Sequence, residues 1–157
     1  DKNTFYIPNK ALETIQTQIY DYPLLYTVKN SIDKDCFDIV FISNGEPFEQ
    51  KNFDKLQTHI TKNNLRNKLH WVKNVNGRTK AYKTAAETSA TEYFYAVFAK
   101  SMVEDSFMFD YTVDRALSPR HRIFHAHLKE LGLNYGTFNI DLCHKTNCVL
   151  QPPIRTY

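Results

Sequence analysis

Residues 36–43, CFDIVFIS, form a near-continuous apolar run rich in β-branched and aromatic residues. Successive side chains of a strand point to opposite faces, so a strand apolar throughout must be covered on both sides. NGEP (44–47) then ends the run with a loop signal. Next come Phe53, Leu56 and Ile60, spaced as one face of an amphipathic helix. A second strand is predicted at LHWVKNV (69–75), a helix over 79–90, and a third strand at EYFYAVFA (92–99). This β–α–β–α–β order predicts an α/β fold. Its sheet should be mostly parallel and Rossmann-like, with right-handed crossovers and helices on both faces.

The flanks are less regular. TFYI (4–7) reads as a short strand closed by Pro8, with Asn9 as an N-cap. Leu12, Ile15 and Ile19 then recur at helical spacing until Pro23. LLYTVKNSI (24–32) suits a buried strand or a buried helix. After the third strand, 102–120 is irregular and holds Asp105, Asp110 and Asp114. HRIFHAHL (121–128) and TFNIDLC (137–143) are further strand candidates. The 157 residues are expected to form a single α/β domain over 1–157, entire or excised from a longer chain. A nucleotide-binding-like core spans 36–110.

Composition removes several classes. A hydrophobic fraction of 42% and an aromatic fraction of 14% are too high for a disordered chain. The net charge of +3 is spread among interleaved acids, unlike the clustered basic face of a dedicated DNA binder. No apolar run approaches the roughly 18 residues of a membrane span, and no cleavable signal is visible. Three cysteines without dense spacing suit reduced thiols and a cytoplasmic setting better than a disulfide framework. Among four glycines there is no GxGxxG and no GxxxxGK[ST].

In a parallel sheet, ligands bind outside the carboxyl ends of the strands. Here that rule selects 43–47, 73–77 and 99–101. In SNGEP, Ser43 and Asn44 offer hydrogen bonds, Gly45 permits close backbone approach, and Glu46 accepts from a sugar hydroxyl. A plain strand-exit turn has the same composition. Asn76, Gly77 and Arg78 open a helix whose free donors favour anions, with Lys80 and Lys83 adding charge. Solvated lysines on an ordinary first turn fit equally well. Asp105, Asp110 and Asp114 include candidate bases, although such residues more often cap turns. His125 and His127 share one strand face, and CHKTNC supplies Cys143, His144 and Cys148. Their spacing matches no standard zinc motif, so core packing is the preferred account and no metal site is assigned.

DIVFISNGEP (38–47) and HWVKNVNGRTKAYKTAAETSATEYFYAVFA (70–99) resemble the nucleotide-sugar half of the A-type glycosyltransferase fold. More narrowly, FYIPNKAL, DIVFISNGEP, VFAK and NYG are similar to glycosyltransferase-like domains in large proteins of tailed bacteriophages. In that family the third strand carries an Asp-x-Asp motif holding a divalent metal on the donor diphosphate. Here Ala99, Lys100 and Ser101 stand in its place. A protonated lysine cannot ligate a cation, but it can neutralise a diphosphate as a point charge.

The resemblance implies a glycosyltransferase, or a remnant of one, binding a nucleotide-diphosphate sugar. Ser43, Asn44, Gly45 and Glu46 would line the nucleoside end. Asn76, Gly77, Lys80 and Lys100 would meet phosphate, and Asp110 or Asp114 would act as the base. Manganese or magnesium is compatible with the family but unsupported by a motif. The alternative is a non-catalytic binding or assembly module of a larger phage or virus-like protein, working in the host cytoplasm with phage proteins as partners. A membrane or nucleic acid is not expected as partner.

Overall fold

A computed structural model describes residues 35–113, 120–128, 131–135 and 140–150, all within the unit Asp35–Tyr157. The expected elements at 4–32, the residue Asp114 and the closing tail lie outside the described residues. The central strand is β1 (Asp38–Ser43), buried along its whole length. It is followed by α1 (Glu49–Lys62), β2 (Leu69–Lys73), α2 (Arg78–Thr88) and β3 (Tyr93–Phe98). β1 pairs in parallel with β2 on one side and β3 on the other.

Alternation along the strands separates two cores. Ile39, Phe41, Tyr95 and Val97 face α1, where Leu56 is buried and Phe53 and Ile60 pack beside it. Val40, Ile42, Phe94 and Ala96 face α2 and its Ala81, Tyr82, Ala85 and Ala86. The apolar run of β1 therefore has the cause assumed from sequence, a helix on each face. The small residues of α2 let it lie close to the sheet. His59 of α1 is buried as well: Nε2–H donates to the Phe107 carbonyl at 2.8 Å, while Asn63 Nδ2 lies 3.2 Å from Nδ1.

The expectation of a mostly parallel sheet needs correction. Among the described residues the main sheet has five strands in the order β2-β1-β3-β7-β4. β7 (Ile140–His144) runs antiparallel to β3, and β4 (Arg122–Ile123) runs antiparallel to β7. The sheet is thus mixed, and parallel pairing is confined to β2-β1-β3. A parallel crossover takes a dozen or more residues, usually with a helix. The described residues after β3 contain no helix until α3 (Lys145–Leu150), and 99–113 runs as turns and irregular chain.

HRIFHAHL is also not one strand. It divides into β4 and β5 (Ala126–Leu128), and β5 pairs with β6 (Leu133–Tyr135) in a separate two-stranded sheet. The break falls where Phe124 turns into the aromatic cluster of Tyr95, Phe107 and Tyr111. Its N–H still donates to the Ile140 carbonyl at 3.0 Å before the chain leaves the sheet.

Candidate functional site

The order β2-β1-β3 reverses direction at β1: the chain steps to one side for β2 and to the other for β3. Loops leaving β1 and β3 therefore diverge, and a crevice opens between them at the carboxyl ends. A cleft of about 220 Å³ lies there, lined by Ser43, Asn44 and Glu46 after β1, Phe98 and Lys100 at the end of β3, and Gly77 and Arg78 at the start of α2. Ile42, Val75 and Ala81 complete its apolar floor.

Local chemistry fixes these loops. Ser43 is buried, and its Oγ accepts the Trp71 Nε1–H at 2.9 Å. Its carbonyl accepts the N–H of Asn74, whose φ of 57° turns the chain out of β2. Gly45 (φ 82°) and Gly77 (φ 90°) occupy the left-handed region that favours glycine. A Cβ at either would meet nothing within 4 Å, so backbone conformation rather than space calls for glycine there. Asn44 Nδ2 donates to Asn76 Oδ1 at 3.1 Å and ties the loops after β1 and β2 together. Across the sheet, Asn52 Nδ2 of α1 holds the Ala99 carbonyl at 2.7 Å. Lys100 thus follows an anchored residue.

Two loop donors are already engaged by acids. Glu46 accepts the Asn44 N–H at 2.6 Å, and Glu49 accepts the Gly45 N–H at 3.2 Å. The positive side of the cleft lies elsewhere, at Lys100, Arg78 and the start of α2, where Gly77 contributes no side-chain cap. Helix starts carry partial positive charge. The Arg78 guanidinium also lies over the Tyr82 ring, 5.7 Å from its centroid.

Of the residues singled out from sequence, Ser43, Asn44, Glu46, Gly77 and Lys100 come together at the cleft. Gly45 and Asn76 shape its loops, whereas Lys80 is exposed and does not line it. Asp110 does not line it either. It is exposed, and its charge helps to hold up the Tyr95 phenol, for which burial is the larger cause. The Tyr111 N–H donates to that phenol at 3.1 Å, against the α1 face. Arg78 is named at the helix start by sequence but given no ligand there; only the packing of α2 brings it to the cleft. Among the described residues Glu46 is the one carboxylate in the lining, so they offer a metal no acidic pair there.

A second group of reactive side chains lies beyond the cleft. Cys143 and Cys148 are buried and His121 partly so, and their ligand atoms fall within 4.8 Å of one another. A hydrogen bond from Cys143, then the His121 ring, pull the Cys148 thiol down to about 6 against the opposing effect of burial. His144 turns instead to Glu92, 3.8 Å away. Nearby, the Tyr82 hydroxyl donates to the fully buried Asp141. Burial, reinforced by that carboxylate, pushes the phenol far above its ordinary value of 10.0.

No helix among the described residues is long and apolar enough to cross a membrane. Comparison with protein-family models, curated proteins and solved structures finds no match for the chain.

Proposed function

We propose that this domain is a glycosyltransferase-like module that takes a nucleotide-diphosphate sugar at the cleft between β1 and β3. Lys100, Arg78 and the start of α2 meet the diphosphate in place of an acid-held metal. The observation that carries this is the coincidence of the crevice with the paired cations. An open sheet binds its ligand at this point of strand reversal, and phosphate favours a helix start flanked by cations. Typical ligand pockets measure roughly 300–1,000 Å³. The cleft of about 220 Å³ suits the phosphates and part of the nucleoside, leaving the remainder of the donor outside.

One observation favours a role in binding or assembly within a larger or phage-type protein over sugar transfer. Transfer to an acceptor commonly uses a base, and among the described residues Asp110, a candidate for that role, is exposed beside Tyr95 and does not line the cleft.

Calorimetric titration with UDP-, GDP- and TDP-sugars, with and without manganese, tests both. Binding without metal, weakened about tenfold or more in Lys100→Ala and Arg78→Ala, supports the proposal. Failure of every donor to bind ends it. Binding that requires manganese removes the lysine from the central role, and donor turnover would separate a transferase from a binding module.

A further inference from the structure

We propose that His121, Cys143 and Cys148 form a three-ligand site for a thiophilic divalent cation of the zinc type, one that fastens the antiparallel end of the sheet. The ligands come from three segments. Cys143 lies on β7 and Cys148 on α3. Pairing of Arg122 with Leu142 and Ile123 with Asp141 puts His121 opposite Cys143 one step further on. Residues directly opposite in an antiparallel pair share a face, and on this face Cys143 and Cys148 pack with α2.

The chemistry and dimensions agree. Zinc takes cysteine sulfur at about 2.3 Å and histidine nitrogen at about 2.0–2.1 Å in a tetrahedron, which puts ligand atoms roughly 3.5–3.8 Å apart. His121 Nδ1 lies 4.0 Å from Cys148 Sγ, and all three ligand atoms lie within 4.8 Å of one another. Contraction by about 1 Å at the widest pair, within reach of side-chain rotation, would close the site around the ion. His121 Nε2 is buried and has no hydrogen-bond partner among the described residues. Nδ1, the nitrogen that faces Cys148 Sγ, is the ligand atom, and Nε2 would keep the ring proton, a donor for which the described residues supply no acceptor. Two thiolates balance the charge of a divalent ion, their protons passing to solvent on binding. The fourth position is left to water or an exogenous ligand.

The site is remote from the cleft. Cys143 pairs with Phe94 near the start of β3, whereas the cleft is built from Phe98 and Lys100 at its end. The proposal therefore stands independently of the nucleotide reading, and its expected effect is on folding.

The full chain, purified in a non-thiol reductant, is titrated with zinc and separately with cobalt. One equivalent of zinc should bind and raise the thermal midpoint. Cobalt should give the visible bands of a tetrahedral ion and thiolate charge-transfer absorption. X-ray absorption on the zinc-loaded wild type should report two sulfurs and at least one imidazole nitrogen, a readout that needs no variant to fold. Changes in outer-shell partners commonly cost about 10–100-fold in metal affinity; Cys148→Ser and His121→Asn should cost more. His144→Asn and Cys36→Ser should leave affinity unchanged. Absence of stoichiometric binding, a shell without two sulfurs, or a Cys143–Cys148 disulfide formed in preference to metal binding would each overturn the proposal.

Discussion

The two halves of the main sheet are built on different terms. In β2-β1-β3 every pairing is parallel, each crossover carries a helix, and the central strand is buried throughout. In β7-β4 pairings are antiparallel, β4 is two exposed residues long, and polar groups enter the interior: Asp141 held by Tyr82, and two thiols beside an imidazole. The parallel half is held mainly by apolar area and shape, and the polar groups it buries, Asp38, Ser43, His59 and Asn67, each have a hydrogen-bond partner. The antiparallel half adds a carboxylate–phenol pair and a cluster of two thiols and an imidazole, groups open to protonation and oxidation.

The largest effect should come from the parallel core. Phe41 is buried against the edges of Phe53 and Trp71, with ring centroids 5.5 Å away in each case. Phe41→Ala should cost about 3–5 kcal/mol in urea unfolding. If far-UV and near-UV signals then separate into two transitions, the halves are distinct folding units; coincident loss makes them one.

Tyr82→Phe should follow, at about 1–3 kcal/mol, because it removes a donor from a buried carboxylate. The same pair sets an alkaline dependence. Burial raises the folded phenol above the unfolded value of 10.0, so its contribution is complete below that value and disappears as pH rises beyond it. Ultraviolet titration should show two buried phenols, Tyr82 and Tyr95, that ionise only with alkaline unfolding, and Tyr82→Phe should remove one of them. Early ionisation of every tyrosine would contradict the burial argument.

Smaller effects fall on the cleft. Asn52→Ala releases the Ala99 carbonyl and should cost about 1 kcal/mol. It should also weaken donor binding if Lys100 needs that anchor. Lys100→Ala should change stability by less than about 0.5 kcal/mol, so a loss of ligand affinity in that variant reads on binding alone.

The parallel half was legible because its causes are local. The doubly apolar β1 and the Phe53, Leu56, Ile60 stripe are periodicities carried by neighbouring residues, and their bounds shift only slightly in the structure. β2 stops at Lys73 rather than Val75 because Asn74 enters a left-handed turn that spacing does not reveal. In the other half the decisive facts are non-local. The direction of β7 depends on what connects it to β3. Its one available cue was the lack of an amphipathic helix in the irregular stretch after β3. His121 meets Cys143 only through cross-strand pairing, so HAHL drew attention to His125 and His127 instead. Ser43, Asn44, Glu46, Gly77 and Lys100 of the cleft followed from the strand-end rule, but its apolar lining and Arg78 needed the packing of α2 against the sheet.

Trp71 gives the cleft a built-in gauge. It is the chain's single tryptophan. Its ring stacks on Phe53 at 4.1 Å under the Lys73 ammonium, and its indole N–H holds Ser43 at the cleft wall. Ligand entry that shifts Ser43 should alter the hydrogen bond of the one dominant fluorophore. Occupancy can therefore be followed by intrinsic emission, without a label or a coupled assay.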